Sequence, residues 1–527
     1  MQIPVLIVGG GPSGLATSIL LSSFGIRSLL IDRREQPSHQ PWASGVSTRT
    51  MELFAAWGID EAVRARALDV HLVGSVSDTL ASSERARSSL GYPDADAARA
   101  VSPVAPIVIP RDELEPILLD SARRSPHAEL RFGTSFVHLD QQADGVDVTL
   151  HERASGRATH VRARYVVGAD GVWSPTRRAA GIDVRGVERQ GEYCRILFRA
   201  DLDSLVGRRR CALYLVQTPH GPGAFVPTSR DGRWVLVFPW PDDEPLEWPA
   251  HHRLASLVRS AVGVSDLPLT ILDVGTCSFS AAVAERFRDR NVFLVGDAAH
   301  RMTPSGGMGL NTAIHDAHNL AWKLAAVLRG WAREPLLDSY QAERRPVAER
   351  NVARSLGKHP ELSGLAVDLG VVYATDEGQG AATFADVSDD ATHSARVGAR
   401  APHVWLESGW GPISTLDLFG DGMVVLTSSE EWRTTAMACG KALGVPLAAY
   451  VIDGDGGLSD PSLRWADVFG VGDVGAVLVR PDGIVAWRTT AAADASAKDF
   501  RRAMNRLLGR RISDGRPSGE LQKDAAA

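Results

Sequence analysis

An α/β protein of two or three domains, the first built on a parallel sheet assembled from distant segments, is what the 527-residue sequence predicts. Three observations carry that reading. Buried-strand runs recur between helical patterns, a glycine-rich strand-to-helix turn stands near the N-terminus, and a middle stretch alternates in the antiparallel manner. With 44% hydrophobic and 23% charged residues the chain can bury sizeable cores. Its formal charge, 57 minus 63 or −6, offers no strongly basic balance, so neither a nucleic-acid nor a membrane partner is expected.

The elements follow in order. Residues 3–8 form a continuous apolar run, read as a buried strand. Residues 12–24 carry Leu15, Ile19 and Leu20 at helical spacing, and residues 28–32 give the next strand. Residues 164–169 and 291–295 have the same buried-strand character, so the first domain is discontinuous: 1–71, 106–183 and 278–390. Residues 72–105 and 184–277 form an inserted antiparallel-sheet domain, with strands over 194–200, 212–216 and 233–238 and loops at Pro219, Gly221 and Gly223. Helices are read over 319–328 and 336–354. A third unit spans 391–510, with strands over 422–426, 449–452, 475–479 and 484–487 and a last helix near 498–508. A polar tail, 511–527, follows.

Cys194, Cys211, Cys277 and Cys439 are scattered, without a CxxC pair or zinc spacing, so no metal site is expected and a reducing compartment is the simpler reading. The chain enters a strand at once, and no apolar run approaches the roughly 20 residues of a membrane span. A cytoplasmic protein, monomer or homodimer, is expected.

Gly9-Gly-Gly11-Pro12-Ser13-Gly14 is a GxGxxG turn between strand and helix. The first glycine permits the tight turn, the second lets backbone approach a pyrophosphate, and the third lets helix and strand pack closely. The helix start then supplies amides and partial positive charge. Asp32, 18 residues after Gly14 and at the end of the second strand, is placed to accept ribose hydroxyls. Two further signatures follow: residues 167–172, Val-Gly-Ala-Asp-Gly-Val, and residues 292–311, where a strand meets Gly296-Asp297 and continues into Pro304-Ser-Gly-Gly-Met-Gly-Leu-Asn311.

These three segments, in this order, resemble the single-component FAD-dependent aromatic hydroxylases, most closely the branch of phenol and aromatic polyketide hydroxylases. The likeness covers roughly residues 3–355. It implies a Rossmann-like FAD-binding domain of the glutathione-reductase type with an inserted α+β substrate domain. The third unit resembles the thioredoxin-like extension of that branch; it has no CxxC and Cys439 stands alone, so a packing or assembly role is expected. On this likeness Asp297 binds a ribityl hydroxyl, the amides of Leu310 and Asn311 face the flavin pyrimidine edge, and Asp170 supports the FAD and nicotinamide region. Gly296, Gly307 and Gly309 let the flat ring lie against backbone. Arg33, Arg49 and Arg111 join the cofactor candidates, and the Pro304 carbonyl is the catalytic candidate. His300 and His315 are expected to be structural.

Three departures from the family pattern stand out. Trp42 takes the place of a common arginine, Arg111 that of a common glutamine, and Met308 that of a glutamine or lysine. Arg111 is expected to offset the cation missing at Trp42. Gly306, Gly307 and Gly309, with Ala43, Ser44 and Gly45, are where backbone is expected to permit movement of the flavin.

The implied reaction is reduction of FAD by NADPH or NADH, a transient co-substrate, then transfer of oxygen from a flavin hydroperoxide to an electron-rich polyphenolic ring. Phe225, Trp234, Phe238 and Trp240 are the candidate substrate wall. Hydroxylation of simple phenols, ring opening or epoxidation of a polycyclic substrate, and a non-catalytic flavin-binding redox sensor are the alternatives.

Overall fold

Strand Gln2–Val8 lies between two others, so Val5, Leu6 and Ile7 face protein on both sides and are wholly buried. That is why it reads as a continuous apolar run rather than an alternating one. The structure is a computed structural model describing residues 1–36, 43–240, 251–358, 362–374, 382–384, 395–454 and 457–510. The first sheet runs Arg288–Asp289, Val292–Leu294, Ala158–Gly168, Gln2–Val8, Ser28–Asp32, Ala128–Phe132, with the hairpin Thr134–Gln142 and Gly145–Glu152 attached to Ala158–Gly168. From Val292–Leu294 to Ala128–Phe132 the strands are parallel. Helix Pro12–Ser23 packs on this sheet against helices Arg111–Arg124 and Met308–Leu328.

The second sheet is almost entirely antiparallel. Its order is His300–Arg301, Thr270–Ala284, Val184–Arg199, Arg233–Trp240, Gly221–Pro227, Cys211–Thr218, His71–Val76, Ala86–Ser89. Two expectations are corrected here. Gly221 and Gly223 are not loop residues: Gly221–Pro227 is a strand whose Gly223 pairs with Val216. Strand Thr270–Ala284 also runs straight through the expected boundary at 277/278.

The third unit is β-α-β followed by β-β-α, as a thioredoxin-like unit requires. Its sheet order is Leu447–Val451, Met423–Thr427, Ala476–Val479, Val485–Thr489, and its helices Glu430–Leu443 and Ala493–Leu507 close over Trp432, Trp487 and Phe500.

A buried ionic cluster joins this unit to the first. Arg480 donates to both carboxylate oxygens of Glu343, at 2.7 and 2.9 Å, and pairs with Asp482. Lys323 donates to Glu343 and to Asn319, each at 2.9 Å. Burial pulls the Lys323 ammonium down to about 8, against the opposing pull of Glu343. Nearby, Arg400 pairs with Glu52 and Arg49 donates to the Asp482 carbonyl at 2.8 Å. Among the described residues no helix is long and apolar enough to cross a membrane, and no cluster of metal-ligating side chains occurs.

Candidate active site

The first glycine turn is shaped by backbone. Gly9 has φ +113°, and a Cβ there would lie 2.2 Å from the Ala169 carbonyl oxygen. A Cβ on Gly14 would lie 1.9 Å from the Gly9 oxygen, which is how closely helix and strand approach. At Gly11, the N-cap of helix Pro12–Ser23, a Cβ would meet nothing within 4 Å. The open side is a cavity of about 710 Å³.

Asp32 stands on that cavity at the strand end. Its carboxylate accepts the Gly10 amide at 2.7 Å, the Arg34 amide at 2.8 Å and the Arg34 guanidinium at 3.0 Å. Burial would raise its pKa, but the Arg34 side chain and these amides outweigh burial and hold it below the usual range. Asp170, across the cavity, accepts the Ser174 hydroxyl and the Thr176 amide, the latter at 2.8 Å, and so fixes the turn into helix Pro175–Ala179. Burial outweighs these bonds, and its pKa is raised.

The third segment enters from strand Val292–Leu294. Gly296 takes φ +60° and donates to Asp316 at 3.1 Å. Asp316 also accepts His300 at 2.6 Å and Arg344 at 2.8 Å, a wholly buried set that anchors the turn. Asp297, next to it, is exposed on the cavity wall and accepts no hydrogen bond among the described residues. Gly309 and Leu310, in the first turn of helix Met308–Leu328, also line the cavity, and a Cβ on Gly309 would meet nothing within 4 Å. Helix starts leave amides unpaired, so this end favours negative charge.

Of the cofactor candidates, the cavity thus brings together Gly9, Gly11, Pro12, Ser13, Asp32, Arg33, Arg111, Asp170, Asp297, Gly309 and Leu310. Gly14 and Gly296 shape it from behind. Trp42 lies outside the described residues, so its relation to Arg111 stays an expectation; Arg111 itself pairs with Glu115. Several candidates are placed elsewhere. Arg49 points to the C-terminal unit, donating to the Asp482 carbonyl at 2.8 Å and pairing with Glu52 of its own helix at 2.9 Å. The Asn311 side chain is wholly buried, its oxygen accepting the Ser47 amide at 2.9 Å and the Thr50 hydroxyl at 2.8 Å, while the role expected of its backbone amide stays an expectation. Pro304 does not border the cavity, and its carbonyl accepts the Gly307 amide at 3.1 Å within the turn. His315 lies 3.1 Å from the Thr50 hydroxyl in a structural contact.

Phe225, Trp234, Phe238 and Trp240 are likewise corrected. All four are under 9% exposed and lie in the core that the second sheet forms with helix His251–Val262. The opposite sheet face carries Tyr193, Leu197, Val235, Val237, Cys277 and Phe279. Cys277 and Phe279 share a strand face with Ala281 and Val283, which pack into the core of the first domain. The second face therefore looks toward the cavity domain, and the predicted aromatics look away.

Residues missed in the sequence include Arg34, Trp173 and Arg178 on the cavity, and Tyr92. The pair Arg33-Arg34 was visible, but only register shows which arginine meets Asp32. Trp173 is 65% exposed, and the Arg301 guanidinium lies 5.6 Å from its ring centroid.

The donor set fits FAD: an open glycine turn at a helix start, an acid at the second strand end, an unpartnered carboxylate at Asp297 and a second open helix start share one cavity. Residues 2–355 match the FAD binding domain family, and residues 394–511 match the aromatic-ring hydroxylase C-terminal family. The tetracenomycin B2 monooxygenase-dioxygenase of Streptomyces olivaceus is 36% identical, covering 97% of this chain and 99% of that protein. Among solved structures, the flavin-dependent monooxygenase PieE with FAD and substrate superposes with TM-score 0.87, 32% identity and coverage of 97% and 100%. Aklavinone-11 hydroxylase with FAD and aklavinone gives 0.86, 33%, 96% and 99%. The chain belongs to the FAD-dependent aromatic-ring hydroxylases, flavoprotein monooxygenases.

Proposed function

We propose that this enzyme hydroxylates a planar polycyclic phenol of the aromatic polyketide class, with NADPH or NADH as reductant and molecular oxygen as oxidant. The observation carrying the reading is the convergence of the first glycine turn, Asp170 and the Asp297 to Leu310 segment on one cavity. The substrate class is supported by relatives named for tetracenomycin and aklavinone. Bound FAD would supply the redox chemistry, hydride acceptance from the nicotinamide and activation of dioxygen, one oxygen atom going to the ring and the other leaving as water.

The chain's own residues bind and orient. Amides at the start of helix Pro12–Ser23 hold the pyrophosphate, Asp32 the ribose, and Asp297 a ribityl hydroxyl. Amides of Gly309 and Leu310 stabilise negative charge at the ring edge. The substrate lies against the sheet face of Tyr193, Val237 and Phe279, where apolar side chains exclude water. The Arg233–Asp112 pair at 2.9 Å holds that sheet to the FAD-binding domain.

Incubation with NADPH, oxygen and a panel of aromatic polyketides and simple phenols tests this. A polycyclic product one oxygen atom heavier is expected. Turnover of simple phenols alone overturns the substrate class, and failure to oxidise NADPH with any phenol favours a redox sensor.

A further inference from the structure

Tyr92 belongs to the inserted segment, yet its hydroxyl reaches two backbone loops of the FAD-binding domain. It donates to the Gly307 carbonyl at 2.7 Å and lies 3.0 Å from the Gly45 carbonyl. A phenol has one hydrogen, so it serves one carbonyl at a time. The Asn311 amide nitrogen, 2.9 Å from Gly45 and 3.0 Å from Gly307, covers the other, and it lies 3.3 Å from the hydroxyl itself. A Cβ on either Gly45 or Gly307 would fall 2.4 Å from the Tyr92 oxygen, so both glycines make room for this ring.

Gly307 caps helix Met308–Leu328, whose next residues, Gly309 and Leu310, line the cofactor cavity. Gly45 lies on strand Ala43–Val46, which leads into helix Thr48–Ala56. The backbone of Tyr92 is wedged in turn: a Cβ on Gly364 would lie 2.5 Å from the Tyr92 carbonyl carbon. Four residues on, Asp368 accepts the Thr48 amide at 2.6 Å and the Arg49 amide at 3.2 Å. Burial pushes the phenol pKa well up, so the hydroxyl keeps its proton.

We propose that Tyr92 is a positioning residue for the flavin: together with the Asn311 amide it ties Gly45 to Gly307, so that strand 43–46 and the start of helix 308–328 move as one piece. This rests on the functional reading above only for the identity of the cofactor. The tie itself lies in the chain and is measurable without turnover.

The test is Tyr92→Phe in the FAD-loaded full chain, which removes the hydroxyl and keeps the ring. Amide hydrogen exchange over residues 43–47 and 304–310 is expected to speed up together by about 3- to 10-fold, the range of one lost hydrogen bond. Flavin release, followed by its fluorescence, is expected to quicken by a similar factor, and exchange over 423–427 to match the wild type. Faster exchange in only one of the two segments, in neither, or evenly across the protein overturns the proposal. Should the variant lose FAD altogether, the same exchange comparison on the two apoproteins decides it. A wild type that binds FAD but oxygenates no phenol defeats the functional reading and leaves this measurement intact.

Discussion

The two glycine-rich turns at the cofactor cavity look alike in sequence and are built differently. In the turn at residues 9–14 the most crowded glycines answer to backbone, Gly9 to Ala169 and Gly14 to Gly9, while a Cβ on Gly10 would meet the Asp32 and Phe132 side chains at 3.2 and 3.3 Å. In the turn at residues 304–311 the crowded glycines answer to side chains from elsewhere: Gly306 to Arg354 and Gly307 to Tyr92. One open position remains in each, Gly11 and Gly309. The backbone that crowds the first turn belongs to the motif itself at Gly14 and to the neighbouring strand end at Gly9. Both motifs are readable locally, but the Arg354 and Tyr92 side chains that crowd the second are not.

The largest effect that sharpens this comparison is expected from Gly9→Ala. The positive φ and the backbone clash cannot both relax, so the protein should lose about 3 kcal/mol or more of unfolding free energy in urea titration. A loss below 1 kcal/mol would show that the first turn yields as readily as the second. Next comes Asp297→Ala. Its carboxylate has no described protein partner, so thermal stability of the apoprotein should stay unchanged while FAD affinity falls by about 1.5–3 kcal/mol in a fluorescence titration. Equal affinity would remove Asp297 from the site. Gly307→Ala should cost about 1–2 kcal/mol, chiefly the left-handed backbone, because the Tyr92 ring can shift where a carbonyl cannot. The smallest effect is at Gly309→Ala. Alanine is the better helix former, so calorimetry on the apoprotein should show a gain of up to about 1 kcal/mol. The new methyl group stands in the cavity, and FAD binding should weaken.

The parallel sheet was legible because its strands are buried on both faces, and the residues 28–32 strand is found with those very ends. Strand Gly221–Pro227 was not, since two glycines and two prolines outweigh its alternation until neighbouring strands pair with it. The turn segments and their acids were readable from local chemistry. The substrate wall was not: alternation separates Phe238 and Trp240 from Val237, but only the packing of helix His251–Val262 shows which face is core. Arg49 failed for the same reason, because a side chain on a helix chooses its partner from other elements. Tyr92 carries no motif and could be found only by its two carbonyls.

The ionic cluster at Glu343 has a consequence for how such proteins can be recombined. Lys323 and Glu343 belong to the FAD-binding part, Arg480 and Asp482 to the C-terminal unit, and all are buried. A chain shortened before residue 394 would leave Glu343 with Lys323 and the Asn319 amide, without the Arg480 guanidinium, and bring water to a face shaped for a partner. A chimaera that borrows a C-terminal unit lacking cations at the 480 turn would strand the same carboxylate. Exchange of the C-terminal unit between relatives is therefore expected to succeed only when the crossover carries both halves of the cluster.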